Sequence, residues 1–195
     1  MKPHLADHDQ PYIYLSLIKS VAAFYMVNAV KRPYYWFPYG FNDQGIPVYE
    51  ELYPNALKEV SSKKRGFIYS VHAQEDDVAA FNNIPNSRIS TKEMKVFACT
   101  EISDCYEYFL SEQEKGNLKI NQFSKKSEAE LERWYELILS YLNDKNFIQK
   151  PNCSYSLFIK EKFPSVWMKY EKENKTGILT KTQNDSEAIA NDVGL

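Results

Sequence analysis

The sequence predicts an α+β fold, with a mixed and partly antiparallel β-sheet, inserted helices and a helical C-terminal region. Strands are indicated by short stretches with alternating apolar residues, such as residues 67–72, and helices by apolar residues recurring every three or four positions, as in 127–145. The chain has 195 residues, of which 44% are hydrophobic and 26% charged, enough for a buried core. We therefore expect one globular domain over residues 1–172 and a polar, flexible tail over 173–195.

Charge and hydropathy exclude several classes of protein. The net charge is -2 and the pI is about 6.0, so nothing in the composition points to nucleic acid or to an acidic membrane as a partner. The apolar run over residues 11–40 is interrupted by Lys19, Asn28 and the triplet 31–33, which argues against a membrane-spanning helix. The first residues lack the basic start of a secretory leader. We expect a cytoplasmic protein.

The N-terminal third predicts a strand, a helix and an aromatic loop. Residues 12–15 are β-prone, Ser16 stands where a helix cap is favoured, and residues 17–30 carry apolar side chains at helical spacing. Pro33 disfavours helical backbone in the residue before it, so the helix is expected to end there. Residues 34–39 then form an aromatic loop or extended segment.

The middle of the chain predicts a turn, a helix and a strand, followed by a long loop. The turn is at residues 42–45, and the helix runs from about Pro54 to Val60, because proline is best tolerated in a first turn. Residues 67–72 alternate as a strand does. Residues 74–93 are polar and interrupted by proline, so we expect a surface loop with at most a short helical piece.

Residues 94–123 predict a strand, a helix and a further strand. The first strand covers residues 94–100, Ser103 caps a helix that runs to Lys115, Gly116 ends it, and residues 118–123 form the second strand. Two glutamates are expected on the exposed face of this helix, Glu107 and Glu112.

Two C-terminal segments are predicted to contribute a buried face. Residues 127–145 form an amphipathic helix with one apolar side. The buried residues expected on it are Leu131, Trp134, Tyr135, Ile138, Leu139 and Leu142. A further set is expected to be buried after Pro151, namely Tyr155, Leu157, Phe158, Ile159 and Phe163, and the following residues 164–172 carry Val166 and Trp167.

Several kinds of catalytic or metal site lack their sequence signal. The six glycines are scattered, so no phosphate-binding loop or dinucleotide fingerprint is present, and no serine or cysteine stands in a recognisable nucleophile turn. The histidines are too few and too scattered to predict a metal centre, and His8 with its aspartate neighbours is interpreted as a solvated turn. The three cysteines are interpreted as small, mostly buried thiols, Cys99, Cys105 and Cys153.

Aromatic content is the unusual feature of this sequence, with 15 Tyr, 11 Phe and 3 Trp. Packing in the core and its rim is one interpretation of these residues, and the wall of a binding cleft is the other. The cleft would be built from residues of the N-terminal third that can stack on a planar ring and hydrogen-bond a ribose or phosphate. They are Tyr14, Ser16, Tyr25, Tyr34, Tyr35, Trp36 and Tyr39.

Several strings in the sequence resemble a family of uncharacterised bacterial proteins, over about residues 3 to 170. They are "PYIYLS", "VAAFYMVNAV", "PYYWFPYGF", "GIPVYEELYPNAL", "RGFIYSV", "EISDCYEYFLSEQEKGNLKI" and "CSYSLFIKEKFPSVW". That family is distantly similar to the ADP-ribosyltransferase-like fold.

The resemblance implies a split β-sheet that clamps NAD as a substrate and transfers ADP-ribose to a target that the sequence does not identify. Tyr14-Leu15-Ser16 resembles the central motif, a strand that ends just before a helix. Its last motif is a glutamate that stabilises positive charge developing on the nicotinamide ribose, and Glu101 is the best-placed match. The resemblance also implies NAD-binding roles for Tyr14 and Ser16 at the ribose, for Tyr25 on the nicotinamide, and for Tyr39. We expect Tyr14, Tyr25 and Glu101 to face one common cavity.

Alternatives to an active transferase stay open at this point. Related proteins carry a Tyr-His-Gly-Ser string before the "PYIYLS" equivalent, and this sequence does not contain it. His4 or His8 could substitute for it, the chain could be a shortened version that binds without catalysis, or it could be an inactive remnant of the fold. Glu101 could equally be an exposed carboxylate at the end of a strand. The competing function is a non-enzymatic interaction protein, of the immunity or anti-defence type, whose Tyr and Trp side chains grip another protein.

Overall fold

The structure is a computed structural model, and it describes residues 1–4, 10–28, 38–81 and 84–174. It is a mixed α+β structure, as the sequence predicts. The chain divides into two compact units, Met1–Lys125 and Lys126–Leu195. The single domain expected over residues 1–172 stays a prediction.

The first unit holds the strands and three of the helices that the structure describes. The strands are β1 (Ile13–Ser16), β2 (Tyr39–Phe41), β3 (Pro47–Glu50), β4 (Gly66–Val71), β5 (Ala79–Ala80), β6 (Ser87–Ser90), β7 (Val96–Ile102) and β8 (Lys119–Asn121). The helices are α1 (Lys19–Asn28), α2 (Ala56–Ser61) and α3 (Cys105–Glu114).

The described strands form three small sheets rather than one continuous sheet. Their orders are β1-β6-β5, β2-β3-β8 and β4-β7. All pairings are antiparallel except that of β3 with β8. The predicted strands are observed with boundaries shifted by a few residues. The helix predicted from about Pro54 begins at Ala56, after β3.

The core of the first unit is centred on α1. Phe24 has no exposed surface, and its ring centroid lies 4.9 Å from that of Tyr39 and 5.2 Å from that of Phe109. Ile68 of β4 belongs to the same buried cluster. Thus α1 packs against both α3 and the two-stranded sheet of β4 and β7, which we call the β4-β7 ribbon. In the chain, α1 directly follows β1.

The start of α1 differs from the prediction by two residues. Ser16 is the last residue of β1, and its Oγ accepts a hydrogen bond from the Ile18 N–H at 3.1 Å, within the bend that precedes Lys19. The hydroxyl therefore shapes the strand-to-helix connection rather than capping position 17. The predicted helix end and the aromatic residues Tyr34, Tyr35 and Trp36 lie outside the described residues.

The prediction of a long loop over residues 74–93 is wrong. This segment contains β5 and β6, and β6 is the central strand of its sheet. β6 pairs antiparallel with β1, with Ile13 opposite Ser90. Its polar residues, Ser87, Arg88 and Ser90, concealed a strand whose stability comes from a partner that is distant in the sequence.

Asp104, not Ser103, caps α3. Its Oδ1 accepts hydrogen bonds from the N–H groups of Tyr106 at 2.8 Å and Glu107 at 3.3 Å. Asp is as good a cap as Ser, so the local sequence offered two neighbouring candidates. The predicted end of the helix is confirmed, because Gly116 has a positive φ of 77°.

Glu112 of α3 is buried, whereas the sequence predicted it to be exposed. Only 7% of its surface is accessible. Its carboxylate accepts hydrogen bonds from Lys115 Nζ at 2.9 Å and Asn117 Nδ2 at 3.0 Å. The carboxylate thus holds the turn that follows the helix, which compensates for its burial.

The second unit is helical in its described part, with α4 (Glu128–Asp144), α5 (Ser154–Lys162) and helical residues at 164–174. The predicted start of α4 is confirmed by a capping box between Ser127 and Glu130. Three of the predicted apolar residues of α4 are buried, and three are only partly buried. The buried residues are Ile138, Leu139 and Leu142. Of the apolar residues predicted to be buried after Pro151, Leu157 is instead exposed. No helix within the described ranges is both long and apolar enough to cross a bilayer.

Candidate functional site

A cleft of about 660 Å³ runs alongside β1 and β4 in the first unit. Residues 14–17 and residues 67–75 line it without a break. Successive residues of a strand point to opposite faces, so an unbroken series of lining residues means that the cleft follows the strand edges. The site is therefore bordered by backbone as well as by side chains.

The two strands that border the cleft belong to different sheets. β1 pairs with β6, and β4 pairs with β7. Among the described residues, no backbone hydrogen bond joins β1 to β4. The cleft is therefore bordered by strands of two separate small sheets.

One wall of the cleft is an exposed aromatic surface on the β4-β7 ribbon. Phe67, Tyr69 and Phe97 line the cleft and are 53%, 52% and 57% exposed. Ile68, which lies between the first two in β4, is buried in the core, so the alternation of the strand directs Phe67 and Tyr69 outward. The ring of His72 stacks on Phe97, with centroids 3.9 Å apart and an interplanar angle of 12°. This wall offers flat apolar faces to a ligand.

Two cationic side chains also line the cleft. Lys19 begins α1, and Arg88 lies in β6 opposite Leu15 of β1. Arg88 Nη1 donates a hydrogen bond to the Ser87 carbonyl at 2.8 Å, which fixes one end of the guanidinium. Cations placed beside aromatic rings suit a ligand with an anionic group and a planar ring. Glu75 is a carboxylate on the same lining.

A smaller cavity of about 210 Å³ shares part of this lining. Tyr14, Ser16 and Arg88 line both cavities, and Tyr25 lines the smaller one. The ring of Tyr14 packs edge-on against Phe81, with centroids 5.6 Å apart. The structure therefore brings together three of the predicted ligand-binding residues, namely Tyr14, Ser16 and Tyr25.

Tyr39 is the first residue of β2 and is partly buried. It lines neither cavity, and its ring packs against Phe24. The pKa of Tyr39 is raised to about 12, mainly by burial and additionally by the electrostatic interaction and the side-chain hydrogen bond with Tyr25. Tyr39 thus contacts Tyr25 rather than the cleft.

Glu101 does not share a cavity with the tyrosines. It lies within β7, not after its last residue, and it is exposed. It stands opposite Phe67 in the ribbon, hence on the same face as that ring, but it lines neither of the two cavities. The expectation that Tyr14, Tyr25 and Glu101 face one cavity holds for the two tyrosines only, since both line the smaller cavity and Glu101 lines neither.

Sequence reasoning missed several residues of the cleft. Lys19 was considered only as an interruption of the apolar run over residues 11–40, and Arg88 lies in the segment that was expected to be a surface loop. The alternation over residues 67–72 was a signal that Phe67 and Tyr69 share one face, but it could not tell which face is buried.

The cysteines differ in their surroundings. Cys105 is buried, as predicted, and burial raises the pKa of its thiol to about 11. Cys99 is exposed, which contradicts the expectation of a mostly buried thiol, because β7 is accessible on both faces. Cys153 is partly buried.

The part of the chain that the structure describes contains no group of three or more His, Cys, Asp or Glu side chains that could hold a metal ion. Comparison with protein-family models, with curated proteins and with solved structures finds no match. The chemistry of the cleft is therefore the basis for a functional proposal.

Proposed function

We propose that the chain binds a nucleotide-type ligand, NAD or a close relative, in the cleft alongside β1 and β4, and that it has an ADP-ribosyltransferase-like fold. One observation carries the proposal: exposed aromatic rings and two cations line one cavity of about 660 Å³. This volume lies within the range of roughly 300–1,000 Å³ typical of small-molecule sites. A dinucleotide needs both kinds of lining, because it combines planar bases with a charged pyrophosphate.

The lining residues fit the parts of such a ligand. Phe67 and Tyr69 offer faces on which a base can stack. Lys19 and Arg88 supply charge for phosphate oxygens, and the planar guanidinium of Arg88 can form paired hydrogen bonds with them.

The smaller cavity provides the place for the second ring. Tyr14 and Ser16 stand at the junction of the two cavities, where a ribose linking phosphate to base would lie. Tyr25 lines only the smaller cavity and is assigned to the nicotinamide. A ligand in two parts thus matches two hollows with a shared wall.

ADP-ribose transfer is the enzymatic form of the proposal. It needs a carboxylate close to the positive charge that develops on the ribose as nicotinamide leaves. Glu75 lines the cleft. Glu101 lies on the same face of the ribbon as Phe67 but does not line the cleft. Both glutamates are therefore candidates for this carboxylate. Glu101 is the one that the sequence resemblance implies.

Titration calorimetry with NAD tests the binding proposal. Wild-type protein is expected to release or absorb heat as NAD is raised to millimolar concentration. Arg88→Gln is expected to weaken binding about tenfold, since it removes a charge-assisted contact of about 1.4 kcal/mol or more. Arg65→Gln is the matched control, because Arg65 is exposed and does not line the cleft. Absence of heat from the folded wild-type protein, or equal weakening by both variants, would refute the proposal.

A protein-binding function is the second candidate, and the exposure of β7 favours it. Residues 97–101 are all exposed, although they form a regular strand. A strand of this kind presents backbone groups that another chain can pair with. A protein that is inert to NAD but forms a stoichiometric complex through β7 would have this function instead.

A further inference from the structure

The outer edge of β7 is open along the whole strand. β7 pairs with β4 on one side, and within the described residues it pairs with no other strand. In an antiparallel pair, every second residue directs its N–H and C=O away from the partner strand. These groups on β7 can therefore accept a further strand.

The charges along this edge are self-complementary. Lys95 directly precedes β7 and Glu101 lies near its end, and both side chains are exposed. Neither makes an ion pair among the residues that the structure describes. If a second copy of β7 runs antiparallel with Ala98 opposite Ala98, Lys95 of each copy stands opposite Glu101 of the other. The same register places Phe97 opposite Cys99.

We propose that β7 is a docking edge for a second copy of this chain, which pairs antiparallel about Ala98. A two-fold pairing of this kind is the commonest symmetry of protein dimers, and each ion pair then occurs twice. The result is a four-stranded sheet in which β4 and β7 of one copy continue into β7 and β4 of the other. The proposal does not depend on the ligand in the cleft.

A β-bulge lies near the start of β7. The register with β4 shifts between Ser70 and Val71, so that Phe97 is an extra residue in β7. In the proposed register Phe97 lies next to the central Ala98 pair and opposite Cys99, so the bulge increases the local twist beside the centre of the pairing.

Sedimentation velocity over a range of protein concentrations tests the proposal. The wild-type chain is expected to pass from monomer to dimer as its concentration rises. Lys95→Glu and Glu101→Lys are each expected to weaken the dimer about tenfold, because each replaces two attractive pairs by two repulsive ones. The double variant Lys95→Glu with Glu101→Lys restores attraction and is expected to return the dimer to about wild-type strength.

Two results of that experiment would overturn the proposal. One is a wild-type chain that stays monomeric up to millimolar concentration. The other is a dimer whose strength the single variants leave unchanged, since such a dimer forms through another surface.

Disulfide cross-linking tests the register. In an antiparallel pair, opposite Cα atoms lie about 4.5–5.5 Å apart, within the disulfide range of roughly 4.4–6.8 Å. Ala98→Cys, in a Cys99→Ser background, is therefore expected to form a covalent dimer on mild oxidation. Thr100→Cys in the same background is the matched control, because its two copies are four positions out of register. A covalent dimer from Thr100→Cys that matches or exceeds that from Ala98→Cys would overturn the proposed register, and Cys99→Ser alone sets the background.

Discussion

Aromatic residues of the first unit fall into two groups that differ in exposure. Phe24, Phe109 and Tyr49 are almost completely buried in the core around α1. Phe67, Tyr69 and Phe97, on the β4-β7 ribbon, are each more than half exposed. The first group is explained by burial of apolar surface, and the second is not. The comparison teaches that the ribbon keeps its rings accessible for contact with something other than its own core.

Strand β4 contributes both to the core and to the exposed wall of the cleft. In β4, Ile68 belongs to the buried core cluster although it also borders the cleft, whereas its neighbours Phe67 and Tyr69 line the cleft and are more than half exposed. The same backbone thus contributes to stability on one face and to the site on the other. Substitutions on the two faces should have separable effects.

The largest expected effect comes from the core. Phe24→Ala removes a fully buried ring that packs on Tyr39 and Phe109, and it is expected to lower the free energy of unfolding by about 3–5 kcal/mol. Phe67→Ala, on the ribbon, is expected to change it by no more than about 0.5 kcal/mol. Urea unfolding followed by circular dichroism measures both. Equal losses would show that the two groups of rings do not differ.

The next effect concerns the two carboxylates near the ribbon. If the chain transfers ADP-ribose, replacing the glutamate that stabilises the developing charge should lower kcat by about 10²–10³. Glu75→Gln and Glu101→Gln are compared by release of nicotinamide from NAD. Loss in Glu101→Gln supports the role implied by the resemblance, whereas loss in Glu75→Gln alone assigns that role to the carboxylate in the cleft. An unchanged rate in both would show that neither is catalytic.

Alkaline pH should weaken the core more than the ribbon. Burial raises the pKa of Cys105 from 9.0 to about 11, so the unfolded chain loses this proton before the folded one does. The stability present below pH 9 is therefore lost as pH rises toward about 11, by roughly 1–3 kcal/mol from this thiol. The partly buried phenols of Tyr39 and Tyr108, with pKa values raised to about 12, extend the loss to higher pH.

Urea unfolding at pH 8, below the ordinary pKa of a thiol, and at about pH 10.5, close to the raised pKa of Cys105, measures this loss. Cys105→Ala is expected to show a smaller loss than wild type between the two pH values, whatever its stability at neutral pH. Cys99→Ser is the matched control, because its thiol is exposed. A pH dependence that Cys105→Ala leaves unchanged would contradict the assignment.

The smallest expected effect is the chemical contrast between these two thiols. Cys99 should react with a disulfide reagent at the rate of an exposed thiol, while Cys105 should react only as the chain unfolds. Cys99→Ser is expected to change the free energy of unfolding by no more than about 0.5 kcal/mol. Fast labelling of Cys105 in the native protein would contradict its position in the core.

Local signals determined which elements could be predicted. The capping box of Ser127 and Glu130 is contained within four residues, so the start of α4 was legible in the sequence. β6 was not, because its partner β1 lies some seventy positions earlier, with Ile13 opposite Ser90. Arg88 was missed for the same reason, since only that pairing brings it to the cleft.

Burial was the other feature that the sequence left undetermined. Glu112 was predicted to be exposed from its charge, yet Lys115 and Asn117 hydrogen-bond it inside the fold. Tyr14, Ser16 and Tyr25 were chosen for their chemistry, and they do line connected hollows. Glu101 was chosen from its position after a predicted strand, and the real strand extends past it.

Thermal unfolding of Tyr69→Ser, with and without millimolar NAD, tests the central claim most directly. Tyr69 lies in the cleft wall and is 52% exposed, so the account predicts an unfolding temperature close to wild type without NAD. It also predicts that the rise in temperature that NAD gives the wild-type protein is largely lost in the variant. A large drop without NAD, or an undiminished rise with it, would show that this ring serves the core and not the ligand.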